Sequence, residues 1–396
     1  MKFLAYLICY CVYPFSFLFP RRKNKWAFGS FRGAFDGNAK YLFIHVSKQY
    51  SEIDSVWLSI NKSTVEEVRS KGLTAYHILS PRGIVYALTS KFWLFNAYSS
   101  DIMFCLSGGA TLVNLWHGLP MKHIEFDIDS GPLANRYVKM TLKERYYHPE
   151  SFKRPDFLIS SSRIYSEMFA RAFRITTDRC LEFGCPRNEI LVWPDNKRME
   201  FVETYESEFT LNLIAKLKKK SYNHVYIYLP TWRDSQDAFL PSDFDLLTMD
   251  ETLRSKNAAL ILKPHANTFS NDAAVADLTN VFMLPTSLDI YPILPYTDVL
   301  ITDYSSVLYD YIVMEGKSVV LYLYDYQLYT KDRSFIWPFD DMVVGQKVFD
   351  FQTLLTIIRD ENFGLDEIKR KMLLQKCWGG NRTDACERIG SFFQQA

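Results

Sequence analysis

From Trp26 onward the chain alternates short, unbroken apolar runs with longer stretches in which apolar residues recur every third or fourth position. The runs read as strands buried on both faces. The spaced stretches read as helices, because a helical side chain returns to its face after about 3.6 residues. Strands are expected at Lys25–Ser30, Asp54–Ile60, Thr74–Ile78, Phe92–Asn96, Thr111–Leu115 and Phe157–Ser160. Helices fall between them at Asn38–Gln49, Thr64–Lys71, Arg82–Ser90 and Tyr165–Ala172. The pattern breaks over the polar stretch Pro186–Met199 and resumes with helix Glu206–Lys218 and strand His224–Leu229. Helix Met249–Lys256, strands Ala258–Lys263 and Val281–Met283, and helix Ile290–Leu294 come next. Strand Val299–Thr302, helix Ser306–Met314 and strand Ser318–Tyr324 complete the series. Such β-α alternation implies parallel sheets covered on both faces. Two open α/β domains are expected, 25–200 and 201–396, with the final helix a candidate to pack back on the first. Two such domains face a cleft outside the carboxyl ends of their strands.

Ahead of this pattern lies an apolar segment, residues 1–24. Phe3, Tyr6, Tyr10, Tyr13 and Phe17 share one helical face, and Leu4, Ile8, Cys11 and Leu18 the opposite one. Arg21, Arg22, Lys23 and Lys25 form a basic collar after it. The run is short of the roughly 20 residues a spanning helix needs, and Pro14 interrupts it. No small-residue cleavage site comes after it, which argues against a secretory signal. A helix half-sunk in the bilayer, a short anchor and a helix packed into the protein all fit, the first best.

Composition narrows the field. A length of 396 residues suits two domains, and 48% hydrophobic residues permit packed cores. A net charge of +1 argues against nucleic acid as the main partner. The seven cysteines form no paired ligand array and read as buried free thiols.

The informative polar residues lie just past predicted strands. His117 comes after Thr111–Leu115, Arg233 after His224–Leu229, Lys263 and His265 close Ala258–Leu262, and Asp303, Ser305 and Ser306 come after Val299–Ile301. Strand ends of a parallel sheet share one side, so the groups of the second domain can converge, while His117 belongs to the first. Asp303 and Ser305 are candidate caps for the next helix, whose unpaired N–H groups suit a phosphate. Lys263, His265 and the Arg233 fork would flank a diphosphate there. His117 is either a structural imidazole, as lone histidines commonly are, or the group to take a proton from an attacking hydroxyl near neutral pH. Asp127 and Asp129 resemble a metal pair but lack further carboxylates, so no metal is expected. The stretch Arg136–Tyr147 mixes cations and aromatics, and fits either a lipid headgroup surface or a solvated helix face.

Together these motifs resemble the CDP-glycerol glycerophosphotransferases of teichoic acid and capsule synthesis. The matching strings are Leu-Trp-His-Gly-Leu-Pro-Met-Lys (115–122), Gly-Cys-Pro-Arg-Asn (184–188) and Leu-Pro-Thr-Trp-Arg-Asp (229–234). Leu-Lys-Pro-His (262–265), Asp-Val-Leu-Ile-Thr-Asp-Tyr-Ser-Ser-Val-Leu-Tyr-Asp (298–310) and Asp-Ala-Cys-Glu-Arg-Ile (384–389) complete them. The chain departs from the family pattern at Leu119 and Glu189. The resemblance implies a GT-B-like pair of Rossmann-type domains. It also implies transfer of glycerol phosphate from CDP-glycerol to a hydroxyl of a lipid-linked glycan or polyol-phosphate acceptor, with release of CMP. His117 and His265 are then the catalytic candidates. Arg233, Lys263, His265, Asp303, Ser305, Ser306 and Asp310 form the donor site, and Lys122, Asp127, Arg187 and Asn188 the acceptor side. The donor is the only small molecule called for, and the setting is the cytoplasmic face of the membrane. A CDP-ribitol donor, a nucleotide-sugar glycosyltransferase and a non-catalytic membrane scaffold stay open as alternatives.

Overall fold

The computed structural model describes residues 2–231, 240–241, 243–263, 278–327, 329, 335–380 and 383–396. They form two compact units. The first comprises the chain up to Gly118, His123–Glu189 and Lys376–Ala396; the second comprises Leu119–Lys122 and Ile190–Gln375. The unit changes at Glu189, whereas the expected boundary at residue 200 falls inside the helix Asp195–Tyr205.

The first unit holds seven parallel strands: β1 (Arg22–Gly29), β2 (Asp54–Ser59), β3 (Ala75–His77), β4 (Ser90–Phe95), β5 (Thr111–Asn114), β6 (Phe157–Ser160) and β7 (Cys180–Glu182). Their order, β3-β2-β1-β4-β5-β6-β7, is doubly wound, with its switch point between β1 and β4. Central strands such as β4 carry a continuous apolar run because helices cover both faces: Phe92, Trp93, Leu94 and Phe95 are all buried. The second unit repeats the winding with β8 (His224–Leu229), β9 (Ala258–Leu262), β10 (Val281–Met283), β11 (Val299–Thr302), β12 (Ser318–Tyr322) and β13 (Gln346–Val348). Its order, β10-β9-β8-β11-β12-β13, puts the switch point between β8 and β11.

Several local expectations change. The edge strands β7 and β13 have three residues each, too few for a periodic signal. The helix expected at Glu206–Lys218 runs Glu208–Lys220, with Ser207 as its N-cap accepting from Thr210 N at 3.3 Å, and a separate helix, Asp195–Tyr205, precedes it. No α-helix forms at Ile290–Leu294. Pro292 and Pro295 withhold two N–H donors, and the segment turns into a 3-10 turn, Leu294–Tyr296.

The chain's last segment completes the first unit. Helix Ala385–Gln395 sets Phe393 against Trp26, Phe92 and Phe157. Gly390 is required there, since a Cβ would lie 2.7 Å from the Tyr50 ring. Glu189, a departure from the family pattern, is buried and accepts from Cys386 N at 2.7 Å, fixing this helix's first turn.

The amino terminus is a 14-residue helix, α1 (Lys2–Phe15). At about 1.5 Å per residue it reaches roughly 21 Å, short of a hydrocarbon core of about 30 Å. Among the described residues no helix is long and apolar enough to cross a membrane. Its aromatic face packs on the protein: Phe3 and Tyr10 stack on Tyr146 at 5.2 and 5.4 Å, and Tyr13 on Phe104 at 4.8 Å. The face of Leu4, Ile8, Cys11 and Leu18 is exposed. The basic collar is only partly a surface feature. Arg21 turns inward to the carbonyls of Leu106 (2.8 Å), Gly108 (3.1 Å) and Ser90 (3.2 Å). Lys25 lies 3.6 Å from Asp54 and 4.1 Å from the Tyr86 ring centre, whereas Arg22 and Lys23 are exposed. The thiols divide likewise: Cys180, Cys185, Cys377 and Cys386 are buried, Cys11 is exposed, and Cys9 and Cys105 are intermediate.

Candidate active site

In the first unit the chain leaves β5 through a strained turn. Trp116 has φ +51°, a left-handed conformation uncommon for an aromatic residue, and Gly118 has φ +136°. Two asparagines hold the turn and a third braces the strand end beside it. Asn114 Oδ1 accepts from Trp116 N at 2.9 Å and its Nδ2 donates to Ala97 O at 2.8 Å. Asn38, on α2 (Gly37–Gln49), donates to the carbonyls of Leu115 (3.2 Å) and Trp116 (2.9 Å). Asn96, at the end of β4, donates to Ser30 Oγ (2.7 Å) and Asp36 O (3.1 Å), and its Oδ1 accepts from Ala39 N (2.9 Å). The Trp116 ring is buried edge-on against Phe173 at 5.0 Å, which fixes where His117 emerges.

His117 Nδ1 lies 3.3 Å from Asn96 O. A carbonyl only accepts, so this contact requires the hydrogen on Nδ1 and leaves the Nε2 lone pair available. Surrounding protein disfavours the imidazolium, and the nearby Arg187 charge adds to this. Together they lower the pKa to about 4 against the opposing Asn96 carbonyl. The residue keeps an exposed face, and neutral imidazole is the resting form near pH 7.

In the second unit the turn after β11 sits at the switch point, where ligands bind in doubly wound sheets. Asp303 is buried, but it does not cap the next helix as expected. Its Oδ1 accepts from Thr231 N (2.9 Å), Thr231 Oγ1 (2.6 Å) and its neighbour Tyr304 N (2.6 Å), tying the ends of β8 and β11 together. The helix itself is one short segment, Val307–Tyr311; of the two expected caps it is Ser305 whose Oγ faces the helix start, at 3.5 Å from Val307 N. Ser305 and Ser306 are half-buried there. Asp310 is buried and takes a hydrogen bond from Tyr291. Lys263 Nζ donates to Leu288 O at 2.6 Å beside the same sheet edge. Arg233 and His265 lie outside the described residues.

The acceptor-side candidates divide between the two units. Lys122 belongs to the second unit: it bridges Phe335 and donates to Tyr329, whose ring stacks on Tyr304 at 3.8 Å. Asp127 pairs with Arg171 at 2.7 Å. Arg187 N donates to Asn38 Oδ1 at 3.2 Å, close to the His117 turn, and Asn188 is buried. Asn96, Thr231 and Tyr329 were missed by the sequence reading. For Asn96 a signal existed: a lone amide closing the apolar run Phe-Trp-Leu-Phe.

A family model of CDP-glycerol:poly(glycerophosphate) glycerophosphotransferases matches residues 11–390. The chain belongs to this family. This glycerophosphotransferase is 25% identical over 384 residues to the teichoic acid glycerol-phosphate transferase of Staphylococcus aureus, covering 93% of this chain and 92% of that one. It is 25% identical over 374 residues to the teichoic acid poly(glycerol phosphate) polymerase of Bacillus spizizenii, covering 91% and 90%. Its fold is similar to the wall teichoic acid polymerase TagF (TM-score 0.74, 23% identity, 95% of this chain and 89% of that one), which supports the GT-B-like architecture. The enzyme transfers glycerol phosphate from CDP-glycerol in teichoic acid synthesis. The nucleotide-sugar and scaffold readings are thereby set aside.

Proposed function

We propose that His117 is the general base of this transfer. The acceptor hydroxyl gives its proton to Nε2 as its oxygen bonds to the distal phosphorus of CDP-glycerol. The bond from that phosphorus to the bridging oxygen breaks, its electron pair leaves with CMP, and the product retains the phosphate. Lys263, Ser305 and Ser306, with Arg233 and His265, carry the charge that develops on the donor phosphates. No cofactor beyond the donor enters this step.

The observation that carries this reading is the strained Trp116 turn, which holds a neutral imidazole by its Nδ1 edge and keeps the basic edge open. The acceptor is a lipid-linked glycan or polyol phosphate, and the enzyme works on the cytoplasmic membrane surface. The exposed apolar face of α1 supports that placement. So do Leu142 (86% exposed) and the exposed Lys139 and Lys143 of the basic-aromatic stretch. His117→Ala should lower turnover by roughly 10²- to 10⁴-fold with donor and acceptor present. Near wild-type CMP release by this variant would remove His117 from the mechanism. Weighing products from CDP-glycerol and CDP-ribitol in parallel identifies the polyol.

A further inference from the structure

We propose that Asp101 acts on His117 through a single peptide group, as a positioning residue for the base. The inference rests on His117 being that base. Asp101 ends a 3-10 turn, Ser99–Asp101, that folds back beneath the end of β4. Its Oδ2 accepts from Ala97 N at 2.8 Å. That N–H belongs to the same peptide unit as the Asn96 carbonyl that faces His117 Nδ1 at 3.3 Å. A carboxylate drawing on one end of a peptide pushes electron density to the other, so the carbonyl becomes a stronger acceptor. The result is a carboxylate–peptide–imidazole relay that holds the Nδ1–H tautomer and raises the basicity of Nε2.

The surroundings make the relay rigid. Asp101 is buried, and its backbone lies so close to Gly29 that a Cβ there would sit 2.8 Å from Asp101 O. On the far side of the same segment, Tyr98 donates to the buried Glu125 at 2.5 Å. Asp36 is the charged group that opposes ionisation of Asp101, and Arg187 the one that opposes protonation of His117. Burial is the main cause that raises the Asp101 pKa, to about 7, so the carboxylate strengthens its hold on the peptide as pH rises through neutrality.

Asp101→Asn keeps the shape and removes the charge. On the full chain, ¹⁵N-histidine NMR should find His117 as the Nδ1–H tautomer in the wild type and a mixture in Asp101→Asn. Turnover should fall roughly 10-fold or more, as when the partner of an oriented histidine is lost, with the donor KM unchanged. The near-neutral limb of the kcat–pH profile should disappear, and Asp101→Glu should restore part of it. Gly29→Ala, which presses on the Asp101 backbone and changes no polar group, should move the tautomer in the same direction. An Nε2–H tautomer in the wild type would overturn the relay. So would an unchanged tautomer and pH profile in Asp101→Asn, which would make Asp101 structural only. Retained turnover in His117→Ala would instead refute the base reading, while the tautomer measurement still reports on Asp101.

Discussion

Replacing Asp303 with alanine takes one carboxylate oxygen away from three donors at once: Thr231 N, Thr231 Oγ1 and Tyr304 N. The side chain it vacates is fully buried. A buried donor left without its acceptor costs about 1–3 kcal/mol, so the three together bound the loss at roughly 3–9 kcal/mol. Water entering the space returns part of this, and about 3–5 kcal/mol is the expected destabilisation. Domains of this size are stable by about 5–15 kcal/mol, so the variant should still fold at 25 °C. Its turn, however, no longer joins β8 to β11, and Ser305 and Ser306 lose their fixed position. The assay pairs urea unfolding with steady-state CMP release. The donor KM should rise about 10-fold or more, with a smaller effect of acceptor concentration. Thr231→Val removes one of the three donors and should cost about 1 kcal/mol. Added to Asp303→Ala it should cost almost nothing further, because the two groups share one interaction. A stability loss under about 1 kcal/mol together with an unchanged donor KM would refute the argument that this carboxylate builds the donor turn.

Two other regions of the chain are open to test. Leu4, Ile8 and Leu18 are 60%, 56% and 76% exposed, so burying each in lipid is worth roughly 1 kcal/mol, and the triple glutamate variant should bind anionic vesicles about 100-fold more weakly. Equal co-sedimentation of variant and wild type would exclude α1 from membrane binding. Burial is the main cause that raises Glu125 and Asp101, each to about 7, above the unfolded carboxyl range near ~4. The folded unit therefore keeps protons that the unfolded chain releases between about pH 4 and 7, and stability falls as pH rises through that window. His117, lowered to about 4, works the other way between about pH 4 and 6.5. Melting temperatures should be higher at pH 5.5 than at pH 8 by a margin that Glu125→Gln narrows. An equal margin in both proteins would show that Glu125 does not titrate in this window.

Strand placement was legible because it depends on neighbours a few residues apart. β6, β8, β10 and β11 fall where the apolar runs are, and the Asp-Tyr-Ser-Ser turn comes directly after β11, as expected. Helices with prolines or short apolar stripes were less legible: Ile290–Leu294 failed on its prolines, and Ser306–Met314 kept only Val307–Tyr311. The roles of polar side chains were the hardest to read. Asp303 resembled a cap for the residues after it, yet its partner Thr231 is 72 residues upstream. That choice depends on β8 and β11 being sheet neighbours, a property of strand order that no local pattern carries.

By itself the sequence determined the alternation of buried strands and amphipathic helices, the polar groups at the strand ends and the family. Each of these is fixed by side-chain periodicity or by residue identity. Only the tertiary structure decided that Trp116 takes a left-handed turn, that Lys122 belongs with Tyr329 in the second unit, and that Asp101 lies beneath the Asn96 peptide. It also returned Lys376–Ala396 to the first unit. These outcomes rest on which elements pack side by side, because a hydrogen bond is set by atoms a few ångströms apart in space whatever their separation along the chain.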